Sequence, residues 1–151
     1  MDGIMSLLKD FDIAALLPEI GPLMRTAQMV IWVLTLIGPV LLLVLGALYY
    51  FKPPKEANYS WGFRTYFTMG SEEMWRFTQK VAGLSWIILG GVLSVTMLVM
   101  GAFLLKTDIT RAGFTAFWCM IGELALLIVS WFVIHAIVLR FFDLDGNRRI
   151  K

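Results

Sequence analysis

Charge is scarce in this chain: Asp, Glu, Lys and Arg make up 16% of its 151 residues, while 59% are hydrophobic. A soluble domain carries about 25% charged residues, so this composition argues against a water-soluble globule. Cysteine is nearly absent, and Cys119 has no second cysteine with which to form an intrachain disulfide. Histidine also occurs once, at His135, and a single imidazole without a second nearby ligand makes a poor metal site. No metal or cofactor is therefore expected. A net charge of +2 is too small to point to nucleic acid. The sequence has no Ser/His/Asp set, no Cys/His pair at plausible depth and no phosphate-cradling glycine loop. Glu72 and Glu73 are adjacent and point about 100° apart on a helix, which does not frame a substrate. The expectation is a protein without catalytic residues. Polarity nowhere alternates over the repeated segments of about ten residues that a membrane barrel needs.

What is present is three long apolar runs, each bracketed by bases: Arg25 to Lys52, Lys80 to Lys106 and Arg111 to Arg140. Each run is about 25 residues, or roughly 37 Å as a helix, enough to cross a hydrocarbon core of about 30 Å with some tilt. The fold expected is an all-α integral membrane protein. It consists of a three-helix transmembrane domain over 25–151, with spans at about 29–51, 81–105 and 112–139, preceded by an N-terminal segment at 1–24. Within that segment Ile4, Leu7, Leu8, Phe11, Ala14 and Ala15 follow helical spacing until Pro18, Gly21 and Pro22. It is too short to span and reads as an amphipathic helix lying on the bilayer surface. Its acidic character (Asp2, Asp10, Asp12, Glu19) and the length of the run that follows argue against a cleaved signal peptide.

Bases set the expected orientation. The 52–80 loop carries five and the tail from Arg140 four, against two in residues 1–28 and two in the 106–111 turn. The positive-inside rule then places the loop and the C-terminus in the cytosol and the N-terminus outside.

Gly38 and Pro39 predict a kink in span one, and Pro53 and Pro54 end it. Ser71 is a candidate N-cap, followed by Glu72 and Glu73 at the positive end of the helix dipole, with Glu72 and Arg76 spaced to pair. The helix begun there is expected to run without a break into span two. Gly83, Gly90, Ser94 and Gly101 form a stripe of small residues on that span, which lets another helix approach closely, within the chain or in a homo-oligomer. The short turn between Lys106 and Arg111 makes spans two and three antiparallel neighbours.

Two sets of residues are candidates for function. Within the membrane, Glu123 lies near the middle of span three, with Cys119 and Ser130 on the same stripe and His135 nearer the cytosolic end. A charge at that depth costs at least about 2.5–3.5 kcal/mol, so Glu123 is expected to be neutral, paired or facing a wet cavity. His135 is read as an imidazole at interface level. The second set is the loop sequence Asn58-Tyr59-Ser60-Trp61-Gly62-Phe63-Arg64-Thr65, continued by Thr68 and by Ser71-Glu72-Glu73-Met74-Trp75. Gly62 permits a tight fold back toward the membrane, Arg64 offers a bidentate fork for phosphate or carboxylate, and Trp61 and Trp75 suit the headgroup level. Trp86 belongs to the same aromatic belt and Trp32 to the opposite one, while Trp118 and Trp131 lie deeper. The tail sequence Asp143-Leu144-Asp145-Gly146-Asn147 lacks the spacing of a calcium loop and reads as a turn.

The loop resembles the SdpI family of bacterial membrane proteins. The resemblance rests on Asn58, Trp61, Gly62, Phe63, Arg64, Thr65, Thr68, Glu73 and Trp75, with Gly83 at the small position that follows, and it extends over about residues 30–150. Gln79 departs from the pattern, standing where the family often has asparagine. The resemblance implies three spans in a bacterial cytoplasmic membrane. It also implies an immunity or sensing role through binding a membrane-active toxin peptide or a membrane-protein partner, with Asn58, Trp61, Gly62, Arg64, Thr65, Glu73 and Trp75 as the binding loop. Two other classes stay open from the residues themselves: a small transport or ion-pathway protein using Glu123, and an accessory subunit docking through the small stripe.

Overall fold

The computed structural model describes residues 13–57 and 61–149, with side chains from Gly21 onward in the first helix. Among these residues the chain forms three long helices and a single 3-10 turn. They are α1 (Ile13–Phe51), the turn Phe67–Met69, α2 (Glu72–Leu104) and α3 (Ile109–Phe141). All three long helices are long and apolar enough to cross a membrane. Their flanks are coated with exposed Leu, Ile, Val and Phe, for example Leu41 and Val44 on α1, Ile88, Val92 and Val95 on α2, and Phe132 on α3. In water such surfaces would aggregate; in a bilayer they are solvated by acyl chains.

The N-terminal expectation needs correction. The first part of the anticipated 3–17 surface helix lies outside the described residues. From Ile13, however, the chain is already in α1, which passes through Pro18 and Pro22 and across the anticipated 24/25 boundary. A proline costs an interior helix one backbone hydrogen bond, and in water that commonly ends the helix. In lipid, non-helical backbone costs more. Thr26 Oγ1 adds a side-chain bond to the Pro22 carbonyl at 3.0 Å, one turn on from Pro18; the Ala14 and Pro18 carbonyls are the two that the prolines leave without a helical donor. At the Gly38–Pro39 pair too, α1 continues as one helix to Phe51.

α2 begins as anticipated. Ser71 is in extended conformation and its side chain accepts from the Met74 backbone N–H. Glu72 and Glu73 occupy the first turn, Glu72 pairs with Arg76, and the helix continues unbroken through span two. Of the small stripe, Gly83, Gly90 and Gly101 all meet α1. Gly83 meets the backbone of Gly46 and Tyr50, Gly90 the backbone of Leu43 and Pro39, and Gly101 the Trp32 indole. α1 and α2 are thus packed backbone to backbone along much of their length.

α3 is held differently. Its buried residues are Ala112 and Ala116 near the start, and Ile134 and Val138 near the end. Between them the helix presents no buried residue to its neighbours. It leans on the bundle at both ends and leaves a space in the middle.

The α1–α2 loop and the tail after α3 meet at the same end of the bundle. Ser71 Oγ donates to the Gly146 carbonyl at 2.7 Å, and Arg148 lies 3.3 Å from the Glu73 carboxylate. The tail is a turn, as read from the sequence: Phe142 and Arg148 form a bridge, and Gly146 takes φ +84, a conformation that favours glycine. Asp143 Oδ1 accepts the backbone N–H groups of Asn147 (2.7 Å) and Asp145 (3.1 Å). The Asn147 backbone bond is the main reason the Asp143 carboxyl sits below its ordinary pKa.

Candidate functional site

Two sites emerge, one at the loop end and one between the helices. The loop site is built on Phe63, which inserts into the end of the bundle and is 4% exposed. It packs with Tyr49, Ala82 and Ile134, with Trp86 alongside at a ring separation of 5.7 Å. One residue from each span thus contributes to the socket. Gln79 on α2 fixes the plug at the backbone. The Phe63 N–H donates to Gln79 Oε1 at 2.8 Å, and Gln79 Nε2 donates to the Phe63 carbonyl at 2.7 Å. Gln79 is fully buried, and this two-way pairing satisfies both halves of its amide. Gly62 enters the plug at φ +114, and a Cβ there would come within 2.9 Å of the Trp75 ring and 3.0 Å of Gln79 Oε1, so a side chain would be both strained and crowded.

Trp75 is not the headgroup-level anchor that its type suggested. It is fully buried, and its indole N–H donates to the Pro54 carbonyl at 3.0 Å. A tryptophan satisfied inside the protein gains more from burial than from the interface. Thr68, also buried, ties the next turn: its hydroxyl accepts from the Thr65 N–H at 2.8 Å and donates to the Thr65 carbonyl at 3.0 Å. Glu73 is held by Arg148 from the tail.

What remains outward is specific. Arg64 and Tyr66 are exposed, Tyr66 at 92%, and with Thr65 and Met69 they line a cup of about 400 Å³. Trp61 is partly exposed and rests edge-on against Tyr49. Of the anticipated loop residues, then, Gly62 and Trp75 pack inward, Glu73 and Thr65 bond to neighbouring segments, and Arg64 faces out. Asn58 lies outside the described residues.

The second site is the space left by α3. Leu34, Ile37, Gly38 and Pro39 of α1, Leu93 of α2, and Met120, Glu123 and Leu127 of α3 surround a cavity of about 430 Å³. Its lining is apolar except for the Glu123 carboxylate. Glu123 Oε1 is buried without a hydrogen-bond partner among the described residues, and Oε2 lies close over Gly38, where a methyl group would approach it to 3.1 Å.

The polar seam expected on α3 does not form as one unit. Ser130 accepts the Trp86 indole N–H at 3.3 Å and donates to the Leu127 carbonyl at 2.7 Å. Glu123 alone of the three lines the cavity, and Cys119 is half-buried apart from it. Residues seven apart share a helix stripe only approximately, and each neighbour selects its own partner. His135 stacks on Trp131 with rings 5.7 Å apart and lies against Phe67 at 5.8 Å, so it belongs to the loop end of the bundle. Among the described residues no group of three His, Cys, Asp or Glu is placed to hold a metal ion.

Sequence reasoning missed Gln79 and Phe63 as the clamp and plug. The available signal was an amide on a helix otherwise turned to apolar neighbours, sixteen residues from an aromatic in a glycine-containing loop.

Comparison with known proteins agrees with the loop. No curated protein and no solved structure matches the chain. The model of the SdpI/YfhL protein family matches residues 55–139, a stretch that starts in the α1–α2 loop and takes in α2 and nearly all of α3. That stretch is more than half of the chain, and the protein is a membrane protein belonging to the SdpI/YfhL family.

Proposed function

We propose that this protein acts by binding, as an immunity or sensing factor of a bacterial cytoplasmic membrane that engages a membrane-active toxin peptide or a membrane-protein partner. The observation that carries this reading is the division of labour within the loop. Phe63, Trp75 and Thr68 are buried and Gln79 is spent on the backbone, whereas Arg64 stays exposed over a cup beside Tyr66. A rigid base presenting one guanidinium and one aromatic ring suits recognition of a carboxylate or backbone carbonyl next to an apolar side chain. In this reading the loop and tail are cytosolic and the N-terminus lies outside, following the distribution of bases.

The test is a growth assay in a sensitive bacterium challenged with secreted peptide from the source species. Cells expressing the protein should survive. Arg64→Ala, inserted at normal levels, should lose protection, since losing a docked guanidinium costs about 2 kcal/mol or more, roughly 30-fold in affinity. Protection undiminished in that variant rules out the role given to Arg64.

A second reading is favoured by one observation, the unpartnered Glu123 oxygen against the central cavity. There the protein passes protons or small cations through Glu123. Proteoliposomes should then show a pH-driven flux that Glu123→Gln reduces to the level of empty vesicles. A wild-type flux no greater than that of empty vesicles eliminates this reading.

A further inference from the structure

A third cavity, of about 700 Å³, opens at the loop end, between the end of α1 and the start of α2. Two bases come from the segment after α1, Lys52 and Lys55, and two from the opening turns of α2, Arg76 and Lys80. Arg76 and Lys80 are four apart and so lie on one helix face. The pieces are brought together by residues already described. Pro53 and Pro54 end α1, and the buried Trp75 indole holds the Pro54 carbonyl, which fixes the segment carrying Lys52 and Lys55 against the start of α2. The nearest carboxylates in sequence are Glu56, Glu72 and Glu73; Glu72 is engaged by Arg76 and Glu73 by Arg148. Like charges gathered around a fixed cavity repel one another, and an anion entering it relieves that repulsion.

The position of the cavity selects the anion. Phe51, the last residue of α1 and 73% exposed, forms part of its wall where the apolar surface of the spans gives way to charge. A free phosphate has no use for an exposed phenyl ring. A lipid whose phosphate enters the cavity lays its glycerol and first methylenes along that ring. We infer that this crevice is a binding site for the phosphate-bearing headgroup of an anionic phospholipid, seated between Lys52 and Lys55 on one side and Arg76 and Lys80 on the other. The inference does not depend on Arg64 or on which side of the membrane the loop faces.

The experiment is native mass spectrometry of the full chain released from detergent, offered phosphatidylglycerol and phosphatidylcholine in equal amounts. Wild type should retain phosphatidylglycerol preferentially. The double variant Lys52→Gln/Lys80→Gln, which keeps a polar side chain with part of the aliphatic stem and removes two charges, should retain it about 10-fold less or worse. Lys106→Gln/Arg111→Gln, at the opposite end of the bundle, should match wild type. Equal retention of the two lipids, or full retention by the Lys52/Lys80 variant, overturns the inference. Displacement of phosphatidylglycerol by millimolar inorganic phosphate also overturns it, in favour of a free-anion site. Should the double variant not fold, photoactivatable phosphatidylglycerol on wild type decides: labelling within 51–55 and 76–80 supports the site, and labelling elsewhere refutes it.

Discussion

Gly90→Ala is expected to destabilise the bundle by about 1–3 kcal/mol, while Gly91→Ala, at the next residue, is expected to be neutral or stabilising by up to ~1 kcal/mol. The two glycines share a helix turn and differ only in what they face. A Cβ at Gly90 would come within 2.6 Å of the Leu43 backbone nitrogen and 2.9 Å of the Pro39 carbonyl oxygen, whereas Gly91 has nothing within 4 Å. The atoms in the way at Gly90 are backbone, so no rotamer change relieves the clash and the two helices must separate. Gly83 is in the same position, with the Tyr50 nitrogen at 2.6 Å and the Gly46 carbonyl at 2.8 Å. Because the two sites lie on one interface, their effects should couple rather than simply add. Gly90→Leu should prevent α1 from docking at all. The measurement is unfolding of the purified chain by dodecyl sulfate, followed by tryptophan fluorescence, since Trp32 packs on Gly101 and Trp86 on Tyr49 across the α1–α2 contact. If alanine at 90 and at 91 have equal effects, the close α1–α2 approach is wrong.

Much of this contact was legible beforehand, and the reason is physical. Small residues on a membrane helix leave no alternative explanation in side-chain chemistry, so the stripe Gly83, Gly90, Gly101 announces a close approach. Which helix makes the approach was not legible, because spacing on one helix says nothing about its partner. The Ser71 cap was readable for a similar reason: a hydroxyl followed by two acids at the start of an apolar run has one economical use.

Three readings failed where the surroundings overrode local preference. Pro18 and Pro22 stop helices in water, yet α1 passes both. Trp75 has the composition of an interface residue, yet its indole is used to hold Pro54. Cys119, Glu123 and Ser130 share a stripe, yet Ser130 is claimed by Trp86 from another helix and only Glu123 faces the cavity. In each case the deciding partner is distant in sequence, and periodicity within a segment carries no record of it. The same applies to the basic crevice, where Lys52 and Lys55 meet Arg76 and Lys80 only because a buried indole pins the chain between them.

Gln79 is the sharpest instance, and its replacement should have the second large effect. Read along the chain it is a departure from a pattern; in the fold it is the clamp on the loop. Gln79→Met keeps the volume and removes both hydrogen-bonding groups, leaving the Phe63 N–H and carbonyl unpaired at a buried position. At about 1–2 kcal/mol for each group so stranded, the loop should lose on the order of 2–4 kcal/mol of its local stability. The loss should be local. Gln79 joins the loop to α2, whereas the α1–α2 contact rests on the glycines, so the helices should stay assembled while the plug opens. Hydrogen exchange resolves the two levels. The Phe63 amide should exchange roughly 30- to 1,000-fold faster in the variant, with α2 amides beyond Gly83 unchanged. Gln79→Asn, one methylene shorter, cannot span both bonds from an unmoved backbone and should fall between wild type and Met. An unchanged Phe63 exchange rate in Gln79→Met would mean that the apolar socket of Tyr49, Ala82 and Ile134 holds the plug alone. Accelerated exchange together with lost protection against toxin would tie the rigidity of the loop to the use of Arg64, because in the plug-open state that guanidinium no longer has a fixed base from which to dock.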